Sequence, residues 1–140
     1  MDVKRTVLKA LPPWTPLVYS VLAAATIPWT IYLAETLHTR HVTHHWNIAW
    51  VGWNVAIIIL LFLNAVFAAR ASRWIIISAT STAALLVADA WFDIMSSSGI
   101  QVYVAIALAL VVELPLALLT LSIAIKTLNS FIKVTEQKKA

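Results

Sequence analysis

Asp89-Ala90-Trp91-Phe92-Asp93 places two carboxylates four positions apart, so on a helix both lie on one face. Thr82 and Ser78 precede Asp89 by seven and eleven positions and extend that face. A third acid, Glu113, stands two residues before Pro115, and Ala117, Thr120, Ala124 and Thr127 continue its face at helical spacing. All three acids interrupt apolar sequence. An ionisable group in such a setting is by default a functional-site hypothesis. Acids held in low dielectric exchange protons more readily than they carry fixed charge. Asp89, Asp93 and Glu113 therefore suit a proton or cation relay. The competing reading makes them buried hydrogen-bonded groups that set helix register, for instance Glu113 with Asn54 or Tyr103.

A second cluster is Glu35, His38, His41, His44 and His45. On a helix His38, His41 and His45 share a face, with Glu35 one turn before. Three imidazoles and a carboxylate suit a divalent metal such as zinc, nickel or copper. The same residues also suit a wet interfacial loop with pH-sensitive side chains. A joint site of His41 or His45 with Asp89 and Asp93 is a further arrangement. Haem b is not expected, because no histidine lies in the first, third or fourth apolar segment.

The elements that must position these groups follow from composition. The chain has 140 residues, 61% hydrophobic and 11% charged, with mean hydropathy +0.87. A soluble domain carries roughly 25% charged residues, so this chain lacks the polar surface to cover itself in water. The fold class expected is all-α: an integral membrane four-helix bundle forming a single domain over 1–140. Its spans fall at about 14–33, 46–69, 74–96 and 102–125, each near the length needed to cross hydrocarbon. Pro28 should kink the first span near its far end. Ala23-Ala24-Ala25 resembles a signal-peptidase site, but the apolar run continues past it to Leu33.

Nine of the ten Lys and Arg residues fall in the N-terminal segment, the Arg70–Arg73 connection or the C-terminal segment, and Arg40 is the exception. The positive-inside rule then puts both termini in the cytoplasm and the His-rich and Ser-rich connections outside. The +4 net charge is read as orientation and attraction to anionic lipid, not nucleic-acid binding. Counting along the helices, Asp89 lies roughly 10 Å below the outer end of its span and Glu113 roughly 15–20 Å deep. Asp93, one turn from that end, is expected to cap or be solvated.

Asn47, Asn54, Thr82 and Thr120 are expected to line a cavity or bond between helices, because an amide or hydroxyl in hydrocarbon needs a partner. Ala65/Ala69, Ala79/Ala83 and Ala105/Ala109 are candidate contact stripes. Trp46, Trp50 and Trp53 mark the outer end of the second span, with Trp53 deep enough to pack inside or line a cavity. The absence of cysteine removes disulfides and thiol redox chemistry. No nucleophile–base arrangement, phosphate loop or cofactor motif suggests an enzyme. Expected partners are the bilayer and either further copies of this chain or another membrane protein.

The run His44-His45-Trp46-Asn47-Ile48-Ala49-Trp50-Val51-Gly52-Trp53-Asn54, followed by Asp89-Ala90-Trp91-Phe92-Asp93, resembles a group of small four-span bacterial membrane proteins with His-His-Trp and Asp-Ala-Trp-Phe-Asp landmarks. Members of that group often carry Asp where this chain has Asn47 and Asn54, which weakens any site built on Asp there. The resemblance covers most of the chain and implies a bacterial inner-membrane protein, without an activity. Size and span count also resemble the small multidrug resistance transporters. Those carry their key acid in the first span, whereas Glu35 lies at its outer end, so that function is not carried over. The leading expectation is a small transport or ion-relay protein. The alternatives are an accessory or scaffold protein with structural acids, and an outward-facing metal-binding protein.

Overall fold

Pro12 and Pro13 cannot donate backbone hydrogen bonds, and a helix cannot run through them unbroken. They separate α1 (Val3–Ala10) from α2 (Thr15–Thr36), which meet at a bend of 72°. The computed structural model describes residues 3–36 and 45–137. After α2 come α3 (Trp46–Ala69), α4 (Ile75–Ser96) and one long helix, α5 (Ile100–Glu136). No strand occurs among the described residues.

Three helices, α3, α4 and α5, are long and apolar enough to cross a membrane. The expected first span meets that standard only as the bent pair of α1 with α2. Threonines, prolines and Ser20 dilute the apolar character of α2. Several of its hydroxyls turn inward on the backbone: Ser20 donates to the Pro16 carbonyl, Thr26 to Leu22 and Thr30 to Thr26. The helix is continuous through Pro28. The second and third spans end within a residue of their expected limits. The fourth runs on past Ile125 to Glu136, because the polar residues that follow cost little in a helix and one face stays buried through Thr127.

Helices adjacent in sequence pack in turn: α2 on α3, α3 on α4, α4 on α5. The short helix α1 returns to the Leu114–Glu136 part of α5, which brings the two ends of the described chain together. Helices α3 and α4 run antiparallel. Asn64 meets Thr82 towards one end, and Trp50 and Trp53 meet Phe92 towards the other. Large apolar side chains such as Leu17, Phe62, Ile77 and Val111 point outward, as in helices solvated by lipid.

Of the alanine stripes, Ala79/Ala83 and Ala105/Ala109 are buried, but Ala69 is exposed, and Ala65 pairs in burial with Ala68 instead. The 3.6-residue period favours the three-residue step on this face of α3.

One polar connection crosses the α3–α4 contact. The Asn64 amide nitrogen donates to the Thr82 hydroxyl at 2.8 Å, and that hydroxyl donates onward to the Ser78 carbonyl. In hydrocarbon such inter-helix bonds contribute about 0.6–2 kcal/mol. Thr82→Val keeps the shape and strands the Asn64 amide. It should lower stability by an amount of that order, read from unfolding in mixed detergent against the lipid-facing control Thr80→Val.

Candidate functional site

Asp89 and Asp93 project from successive turns of α4. The end of that helix is closed by Ser97, whose hydroxyl and backbone N–H both donate to the Asp93 carbonyl, at 2.6 and 3.1 Å. Gly99 then turns the chain with φ of +60°, a conformation that costs glycine nothing.

Glu113 comes from α5 through a local change of helix type. Pro115 has no N–H for the Val111 carbonyl, and its ring crowds that carbonyl. The backbone answers with a π turn over Ala109–Glu113, in which the Leu114 N–H reaches back to the Ala109 carbonyl. Such turns recur at functional sites. The extra residue has a geometric consequence. In an unbroken α-helix Glu113 would sit roughly 80° around from Ala105, and absorbing one residue reduces this to roughly 20°. Ala105 before the turn, Ala109 and Glu113 at its two ends, and Thr120 and Thr127 after it all face the core.

The result joins the three acids. One carboxylate oxygen from each of Asp89, Asp93 and Glu113 lies within 4.8 Å of the others. Asp89 is 8% exposed and Glu113 9% exposed, while Asp93 is half-buried. Asp89 Oδ1 and Glu113 Oε2 are enclosed without a hydrogen-bond partner. The indole of Trp53 stands beside Asp89, but its Nε1 closes no hydrogen bond. Asp93 is thus part of the group and not merely a solvated cap. Glu113 reaches the same level as the aspartates instead of forming a deeper layer. Its longer side chain and the antiparallel return of α5 close the expected gap.

The proposed partners of Glu113 do not form. Tyr103 is largely exposed. Asn54 donates its amide to the Trp50 carbonyl of its own helix, not across to another. Asn54 nevertheless lines a cavity of about 200 Å³ together with Asp89, Glu113 and Trp29. Trp50, Trp53 and Phe92 form an edge-to-face aromatic group at the acid end, with centroids 6.1–6.4 Å apart about Phe92.

The other expected site residues divide. Thr82 makes the inter-helix bond described above. Thr120 is buried but donates to Ala117 on its own helix, and it stands behind Leu116, outside the cavity. Asn47 is half-buried at the start of α3 and does not line the cavity. Glu35 and His45 are exposed. His38, His41 and His44 lie outside the described residues. Among the described residues, the side chains grouped closely enough to hold a metal are the three acids, without His45. The π turn was the feature hardest to read from sequence. Its trace is the eight-residue step from Ala105 to Glu113, one residue longer than the seven-residue steps to Thr120 and Thr127.

No protein-family model, curated protein or solved structure matches this chain.

Proposed function

We propose that the chain is a small proton- or cation-coupled transport protein of the bacterial inner membrane, acting through Asp89, Asp93 and Glu113. The observation that carries this reading is the meeting of three acids from two helices, of which Asp89 and Glu113 line one cavity, each with an enclosed oxygen left without a partner. A purely structural role would pair those oxygens, because an unpaired buried polar group costs stability. Exchange chemistry needs them free to take and give a proton or cation.

The architecture that goes with it is a four-span bundle, with α1 and α2 forming the first span. The packing of α1 on the end of α5 supports termini on one side, and the clustered Lys and Arg residues assign that side to the cytoplasm. Below the acids the path towards the cytoplasm is interrupted. Leu61 lies between Asn54 and Asn64 on α3, Leu86 between Asp89 and Thr82 on α4, and Leu116 between Glu113 and Thr120 on α5. All three are buried and line the cavity. Transport through the site requires this leucine layer to part.

The test is proton flux in sealed proteoliposomes under an imposed pH gradient. The parent should conduct, and Asp89→Asn and Glu113→Gln should fall to the rate of empty vesicles with melting no lower than the parent's. Parent-level flux in both variants removes the relay. No flux in the parent, with a partner retained on gentle extraction, shifts the reading to an accessory protein.

A further inference from the structure

We infer that the acid-lined cavity takes a small lipophilic organic monocation, an alkylammonium, with its charged nitrogen between Asp89 and Glu113 and its hydrocarbon body against the leucine layer. The assignment rests on the exchange reading of the same site and names its substrate class. The cavity has two kinds of wall. One end presents Asp89 and Glu113, each more than nine-tenths buried and each with an enclosed oxygen that has no partner. Most of the rest is hydrocarbon, supplied by Leu22, Ile57, Leu61, Leu86, Leu108 and Leu116.

A hard divalent ion takes six or more oxygen ligands and keeps its waters; the acids offer it carboxylate oxygens, but the leucine walls offer no partner for its waters. An ammonium group on a hydrocarbon body matches both walls. Asn54, 3% exposed, stands in the same lining with its amide N–H committed to the Trp50 carbonyl. Its carbonyl oxygen is the end left to accept an N–H of the cation. Trp29 adds an aromatic ring to the wall, which favours a cation electrostatically. A volume of about 200 Å³ is below the usual range for drug-sized ligands, so the body is small: a single ring or a short chain.

The experiment is calorimetric titration of the purified full chain in mild detergent with cyclohexylammonium chloride. Ammonium chloride, cyclohexanol and manganese chloride are titrated in parallel. Cyclohexylammonium should bind saturably, one per chain, and at least tenfold more tightly than ammonium, which lacks the body, or cyclohexanol, which lacks the charge. Asp89→Asn and Glu113→Gln should each weaken it at least tenfold. Ala25 also lines the cavity but is exposed on its outer side, so Ala25→Phe adds bulk without loading the core. It should weaken cyclohexylammonium tenfold with unchanged melting, which keeps the test decisive if the acid variants fold poorly. Equal affinity for cyclohexanol, insensitivity to Ala25→Phe, or saturable manganese binding that displaces the amine overturns the assignment. Amine-free proton flux separates the two readings. Acid-dependent flux without amine binding removes the cation and leaves the relay. Amine binding without flux, with or without amine, does the reverse.

Discussion

Glu113→Lys should yield a folded protein, melting at or above the parent, that conducts no protons and binds no alkylammonium. Three acid oxygens within 4.8 Å repel one another whenever more than one is ionised. At an effective dielectric of about 20, each such pair at that distance opposes by roughly 3–4 kcal/mol. A lysine at position 113 removes two of the three repulsions and replaces them with attractions to Asp89 and Asp93. Its ammonium then becomes a tethered occupant of the cation position.

Glu113→Leu is the companion variant. It also abolishes flux, but it leaves the aspartates facing each other without a cation, and its melting temperature should fall below that of Glu113→Lys. Melting curves in detergent together with vesicle flux read both effects. If Glu113→Lys melts well below Glu113→Leu, the three carboxyl groups do not act on one another, and the site loses its physical basis.

Leu61→Ala should move stability and flux in opposite directions. Leu61 is 1% exposed, lines the cavity and sits between the upper and lower polar groups of α3. Truncating a buried leucine costs about 2–5 kcal/mol through lost contacts and the hole left behind. The same hole joins the acid cavity to the level of Asn64 and Thr82, where water can bridge hydroxyls and amide. Passive proton flux should therefore rise several-fold while the melting temperature falls. Leu118→Ala is the control: Leu118 is 69% exposed to the surroundings, and neither quantity should change appreciably. A Leu61→Ala protein that is destabilised but no leakier would show that the three leucines do not bar the path.

That the chain is helical, with helices long and apolar enough to cross a membrane, was legible from hydropathy, because twenty apolar residues in lipid have helix as their simplest hydrogen-bonded solution. The four-residue spacing made Asp89 and Asp93 neighbours on one face before any packing was known, and the small polar stripe from Glu113 to Thr127 marked a buried face for the same periodic reason. Pro115 likewise announced a disturbance beside Glu113, since a missing donor is a local property.

What depended on tertiary structure was every relation between helices and every rotation within one. Periodicity gives the face of a straight helix, but the π turn at Ala109–Glu113 resets that face by one residue, and so turns Glu113 towards the aspartates. Asn54 and Thr120 could not be sorted from Thr82 by type or depth. All three are polar and buried, yet one lines the cavity, one bonds its own helix behind a leucine, and one bonds across. That choice is made by which side chain stands opposite on the neighbouring helix. Span lengths and charge asymmetry carry no record of it, because helix register and rotation are settled by packing.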